Sequence, residues 1–194
     1  YLGDHWLGEK DLFHEPSIRI PLIIVEPKMP INLRGTSEKR MVESVDIVPT
    51  IVETMGGSYA SNRMEGRSLV PLLFGDSPAW RDTVFAEIDY SDRGARQVLD
   101  KHPYECRGYM IKNTQWKYIY WEGCRAQLYD LLNDPNEFND LAENHDQSER
   151  LEDFEKQLFS WLRNRKQRTV VELDELYKRS PEADEKAGII IGRW

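Results

Sequence analysis

Two periods of apolar and polar positions divide the chain, and the change from one to the other marks its elements. Residues 18–25 form a short, almost unbroken apolar run, interrupted by Arg19 and Pro21 and stopped by Pro27 and Pro30. Such a run predicts a strand buried on both faces of a largely parallel sheet, with Pro21 near its start, where a missing N–H is tolerated. A single parallel strand cannot bury itself, so its sheet partners are expected from sequence outside these residues or from another chain. A helix is predicted over 47–55, because Asp46 is a natural N-cap, Pro49 falls in the first turn and Gly56-Gly57 supply a left-handed stop. A second, short helix over 68–74 follows the Glu65-Gly66-Arg67 turn and ends at Gly75.

From Thr83 the pattern becomes that of strands, predicted over 83–88, 108–112, 117–121 and 127–131, with Asn113-Thr114-Gln115 as a hairpin between the second and third. A three-residue turn there would place Cys106 opposite Cys124, and a two-residue turn would put them on opposite faces; reduced thiols are the favoured reading. Asp134-Pro135-Asn136-Glu137 reads as a turn and Asp146-Gln147-Ser148-Glu149 as a capping box. The helix that follows carries Leu151, Phe154, Leu158, Trp161 and Leu162 at spacings of three and four, a stripe predicted to pack on the antiparallel sheet. Beyond Val171 a charged segment leads to the apolar tail Ile189-Ile190-Ile191-Gly192-Arg193-Trp194. That tail is costly to leave in water and is expected to dock on its own domain or on a second copy, which makes a homo-oligomer the expected assembly.

With 194 residues, 40% of them apolar, the chain can build a core for one or two domains. Acidic side chains outnumber basic ones, 34 to 26, for a formal charge of −8. Nucleic acid is therefore an unfavourable partner, since affinity for phosphate backbones comes from clustered cations. The one basic cluster, Arg163, Arg165, Lys166 and Arg168, falls at a predicted helix end and reads as a solvated terminus complementing the dipole. No apolar run approaches the roughly 18 residues that span a bilayer, so no membrane partner is expected. Two cysteines are too few for a disulfide scaffold, and no Asn-x-Ser/Thr acceptor occurs; a cytoplasmic location is expected. Tyr1 opens in mid-loop, which reads as the C-terminal part of a larger protein.

The densest chemistry lies in the first residues: Leu2-Gly3-Asp4-His5-Trp6-Leu7-Gly8-Glu9-Lys10, followed by the 18–25 run. A Gly-rich, His-bearing loop that delivers one lysine ahead of an apolar run is a way for an α/β enzyme to set a cation beside an anionic substrate. With Arg19-Ile20-Pro21-Leu22, Val45-Asp46-Ile47-Val48-Pro49-Thr50, Gly66-Arg67-Ser68-Leu69, Trp116-Lys117-Tyr118 and Leu128-Tyr129-Asp130-Leu131 with Asp134-Pro135, this order of blocks resembles the C-terminal part of the sulfatase and phosphonate monoester hydrolase group of the alkaline phosphatase superfamily. The phrase from Glu122 to Leu131 and the tail from Gly188 look more like phosphonate monoester and phosphodiester hydrolases than like animal sulfatases.

The resemblance implies an α/β, alkaline phosphatase-like fold in its C-terminal portion: the end of a large mixed-sheet domain over 1–75, a smaller antiparallel sheet with a long helix over 76–171, and an arm over 172–194. It implies hydrolysis of phosphonate monoesters, phosphodiesters or sulfate esters by a formylglycine-type nucleophile beside a divalent metal ion such as manganese, calcium or magnesium. The nucleophile's cysteine must sit in a Cys-x-Pro-x-Arg context, and neither Cys106 nor Cys124 does. The metal ligands are likewise expected upstream, because the family's Asp-His-Gly motif would end just before Leu2-Gly3. Asp4-His5 fails the same spacing, being followed by Trp6, and loop hydrogen bonding is its default reading.

Lys10 matches the lysine that contacts the ester's nonbridging oxygens and is the one catalytic position the resemblance assigns here. A lone lysine is ordinarily a solvated charge; the motif and the flanking apolar run favour the functional reading. His14 and Glu15 are expected to fix the loop or pair with Arg19, while His102 and His145 lie in polar loops. The 194 residues by themselves are expected to be inactive. The competing reading is a non-catalytic assembly or binding module that completes a partner chain.

Overall fold

A four-stranded antiparallel sheet organises the computed structural model, which describes residues 1–8, 10, 12–166, 175 and 178. The helices in chain order are α1 (Glu15–Ile18), α2 (Ile47–Thr54), α3 (Val70–Leu73), α4 (Gly94–Val98) and α5 (Ser148–Arg163). The strands β1 (Val84–Asp89), β2 (Arg107–Lys112), β3 (Trp116–Trp121) and β4 (Gln127–Asp130) are ordered β1-β2-β3-β4, each within a residue of its predicted span. Pairing of Lys112 with Lys117, and Asn113 N–H donating to Trp116 O at 2.9 Å, leave Thr114-Gln115 as a two-residue turn. The shorter of the two turns therefore forms, and both thiols are free, Cys106 buried and Cys124 exposed.

Alternation along the strands makes two cores. On one face Ile111, Trp116, Tyr118 and Leu128 meet Phe154 and Leu158 of α5, flanked by Leu151, Trp161 and Leu162, so the predicted stripe packs as read. Trp161 stacks on Phe85 with ring centroids 4.6 Å apart, and Arg150 lies 3.9 Å over Trp116. On the opposite face Met110, Ile119 and Tyr129 are covered by Phe13 from the N-terminal segment.

Two helix termini are built differently from their sequence reading. Asn144, not Asp146, caps the approach to α5: its Oδ1 accepts from Asp146 N–H at 3.0 Å, and a 3₁₀ turn, His145–Gln147, intervenes. The basic cluster is a solvated end at Arg163, which is exposed, but not at Arg165 and Lys166. Arg165 sits 4.6 Å over Trp161 and 3.3 Å from Glu87, while Lys166 Nζ donates to the carbonyls of Ser61 (2.7 Å) and Met64 (3.0 Å), tying the end of α5 to the 61–65 loop. Arg168 and the apolar tail from Ile189 lie outside the described residues.

The predicted strand over 18–25 does not form. Glu15–Ile18 makes a single helical turn instead, with Pro16 in its first positions, and residues 19–26 carry no regular structure. A strand exists only where an edge pairs with it, and no described segment pairs with this one. The run is left at the surface, with Ile23 88% and Val25 84% exposed.

Asp46 likewise does more than start a helix. It is fully buried, and its carboxylate receives Arg81 in a bidentate pair (2.6 and 2.7 Å), Glu43 N–H (2.8 Å) and Arg67 N–H (2.7 Å). These contacts join α2, the Gly66-Arg67 turn and the lead into β1. Only glycine fits at position 66, where a Cβ would stand 1.9 Å from Val45 O. Asp46→Ala leaves the buried Arg81 guanidinium with Glu43 alone (2.9 Å) and two N–H groups without their acceptor, and is expected to cost about 3–5 kcal/mol of stability in urea unfolding. A change of about 0.5 kcal/mol, as for an ordinary surface substitution, would contradict this role.

Candidate functional site

The N-terminal loop closes on itself by backbone bonds. Leu2 and Gly8 form an isolated bridge, Gly3 N–H donates to Leu7 O at 3.1 Å, and a 3₁₀ turn, Asp4–Trp6, lies between them. Gly3 (φ 111°) takes the left-handed conformation easily; His5 (φ 52°) and Trp6 (φ 58°) take it at a cost, and close contacts hold His5 there. The His5 ring stacks on His14 with centroids 3.8 Å apart and planes within 8°, and packs 5.1 Å from Phe138. His14 Nδ1 shares a 2.9 Å hydrogen bond with the Tyr1 hydroxyl. Burial, with the charges of His5 and Lys117, lowers the His14 pKa to about 4, so this ring is neutral near pH 7.

Behind the loop lies a buried ionic cluster. Lys117 alternates onto the same face as Ile119 and Trp121 and is fully buried. Its Nζ donates to Glu137 Oε1 (2.5 Å) and Phe13 O (2.8 Å) and stands 2.9 Å from Glu15 Oε1. Lys112 Nζ reaches the same Glu15 oxygen at 2.5 Å, and Glu15 N–H donates to Glu137 Oε2 at 2.6 Å. Burial works against ionised Glu15, yet hydrogen bonds and charge from Lys112 and Lys117 outweigh it and hold the carboxyl below its ordinary range. His14 and Glu15 thus fix the loop as expected, but the partners of Glu15 are two strand lysines and not Arg19.

Between the loop and the 135–138 turn lies an open cleft of about 320 Å³, lined by Asp4, His5, Glu15, Arg19, Asn136 and Phe138 with two prolines. Arg19 makes no ion pair or hydrogen bond through its guanidinium with any described residue. Asp4 accepts from Leu2 N–H at 3.2 Å, the loop role its spacing favoured. Lys10 is exposed, lies outside the cleft lining, and has no hydrogen-bond or ion-pair partner among the described residues.

Among the described residues no group of three or more His, Cys, Asp or Glu side chains could hold a metal ion, so they do not by themselves fit a metal centre. Among them, too, no helix is long and apolar enough to cross a membrane. Glu137 and Phe138 were not singled out in the sequence, where they look like turn and surface. Lys117 carried a readable signal: a lysine at an inward position of an otherwise apolar and aromatic strand.

Residues 3–165 match the family described as N-sulphoglucosamine sulphohydrolase, C-terminal. The multifunctional alkaline phosphatase superfamily protein PehA of Trinickia caryophylli is 30% identical over 185 residues, covering 93% of this chain and 35% of that protein. The ulvan-active sulfatase of Formosa agariphila is 27% identical over 192 residues, covering 84% and 36%. The crystal structure of the phosphonate monoester hydrolase of Agrobacterium radiobacter matches with a TM-score of 0.78 at 30% identity, covering 84% of this chain and 33% of that one. The chain spans about a third of the length of the curated relatives it matches.

The neutral His14 has a pH signature. Its pKa moves from 6.5 to about 4 on folding, so between these values the unfolded chain binds more protons. Stability then rises with pH across that window and is lost as pH falls from 6.5 towards 4. His14→Phe is expected to flatten the melting temperature against pH over this interval; an undiminished slope would assign the dependence to other groups.

Proposed function

Because this chain belongs to the N-sulphoglucosamine sulphohydrolase C-terminal family, within the sulfatase and phosphonate monoester hydrolase group of the alkaline phosphatase superfamily, we propose that it serves the hydrolysis of a phosphonate monoester, phosphodiester or sulfate ester, with Lys10 supplying positive charge to the ester's nonbridging oxygens. The observation that carries this reading is the state of Lys10: an exposed ammonium without a partner among the described residues, following a loop closed by backbone bonds between residues 2 and 8. An unneutralised positive charge is what a transition state rich in negative charge draws on.

In this proposal residues 1–75 complete a large α/β domain, and the antiparallel sheet with α5 forms a smaller unit at the rim of the pocket. The apolar surface at Ile20, Leu22, Ile23 and Val25, together with Ile47, Val48 and Ile51 of α2, supports a further body packing here and keeping water away. A divalent metal ion and a formylglycine-type nucleophile belong to that body, because the described residues converge on no metal site and neither cysteine has the required sequence context. The part of this chain is then electrostatic and steric. The same exposed surface suits the competing reading, an assembly module without chemistry, and substitution of Lys10 separates the two. A homo-oligomer built through the C-terminal tail remains part of the proposal.

Assayed as the full-length gene product against a phosphonate monoester, a phosphodiester and an aryl sulfate, Lys10→Ala is expected to lower kcat/KM for the preferred ester about 100- to 1,000-fold. Its melting temperature should stay unchanged, because Lys10 holds nothing else among the described residues. Unaltered turnover would remove Lys10 from the site and leave the assembly reading. Truncation after Val171 should reduce the mass seen by light scattering, and an unchanged mass would refute assembly through the tail.

A further inference from the structure

We propose that the stacked rings of His5 and His14 form an acid-sensitive latch: they hold the N-terminal loop shut beside the 135–138 turn, and protonation of His14 releases it. The loop needs a holder. Its own bonds run between residues 2 and 8, and His5 and Trp6 keep left-handed backbones that non-glycine residues abandon when nothing confines them. The loop is joined to later segments through rings. His5 lies on His14 with centroids 3.8 Å apart and packs 5.1 Å from Phe138, while Tyr1 meets His14 edge-on at 5.9 Å and shares a hydrogen bond with its Nδ1. The His14 side of the latch is fixed, because Phe13 is buried against the sheet and Glu15 N–H donates to Glu137. The loop is the side free to move.

The electrostatics of the latch favour the neutral ring. A cation on His14 loses hydration in the closed loop and meets the charges of His5 and Lys117, and these causes bring its pKa to about 4. The nearby carboxylates do not compensate it: Glu137 is committed to Lys117, and Glu15 to both Lys112 and Lys117. Tyr129, edge-on to His14 at 6.1 Å, remains a neutral phenol, its pKa pushed up by burial to about 12. On the His5 side the cleft adds Asp4, which is exposed and accepts from Leu2 N–H, and Arg19, a further cation. Lifting the loop rehydrates His14 and takes His5 away, leaving Lys117 as the one opposing charge. The open loop therefore binds a proton more readily than the closed one, and acid draws it open. Because His5 and Phe138 line the cleft from the loop and from the turn, release also parts its walls. The latch is independent of the role proposed for Lys10.

Hydrogen exchange in the full-length gene product, read by mass spectrometry on peptides covering residues 1–8 and divided by the intrinsic rate at each pH, tests the latch. As the His14 pKa moves from about 4 towards 6.5 on opening, these amides are expected to lose about 10- to 20-fold in protection between about pH 7 and pH 5, while α5 and the strands keep theirs. In His14→Phe, which keeps a ring under His5 but takes up no proton, the acid response is expected to vanish. Equal protection of the loop at both pH values, a response that survives in His14→Phe, or parallel loss of protection across the sheet would each overturn the proposal. Should His14→Phe fail to fold, His5→Phe replaces it: the stack is kept and one charge removed, so the response is expected to shrink, and an undiminished response would overturn the latch.

Discussion

An ammonium cannot be taken fully out of water unless its donors are met, and in this protein Lys117 is met by three groups from two segments far apart in sequence, residues 13–15 and the turn at Glu137. The effective penalty for burying one ion is several kcal/mol, and loss of a single partner costs about 3–5 kcal/mol, comparable with much of a domain's net stability. The placement of Lys117 on an inward strand position therefore forces Glu137, Glu15 and the Phe13 carbonyl to converge. The N-terminal segment is drawn over the second face of the sheet, which would otherwise expose Met110 and Ile119. The cleft lies between that segment and the 135–138 turn, which the same cluster joins.

Asp46 solves a comparable problem with the opposite sign. A fully buried carboxylate there takes Arg81 in a bidentate grip and two backbone N–H groups, so one side chain fixes a helix, a glycine turn and a strand entry. In both places a buried charge is satisfied by a cation–carboxylate pair together with main-chain groups, and main-chain partners constrain backbone position where side-chain partners alone would not. The apolar contacts supply most of the driving force, as on the α5 face, but they tolerate small displacements. The two ionic hubs do not.

This division of labour accounts for the character of the candidate site. Its loop has left-handed non-glycine residues, which cost free energy locally and need external support, and its His5 ring is stacked on the neutral His14. The support is the ionic cluster behind it. Lys10 stands apart from this pairing: it is exposed and has no partner among the described residues, and the proposal gives its charge to the ester.

Much of the architecture was legible in the residues alone. Strand alternation, the α5 stripe and the glycine stops are local patterns, and each depends on a period or a backbone freedom that neighbouring residues express by themselves. The motif order was likewise enough to point to the family. What the residues could not show was partnership across distance: Lys117 meets the carbonyl of a residue 104 positions away, Lys112 a carboxylate 97 away, and Glu15 N–H a carboxylate 122 away. Periodicity says which face a side chain occupies and is silent on what arrives there. The 18–25 run marks the same boundary, since an apolar β-branched segment reads as a strand while pairing belongs to the edge that meets it. Local sequence chose the elements of this protein; only the tertiary structure decided which buried charges found each other, because that choice is made between segments with no sequence proximity to bias it.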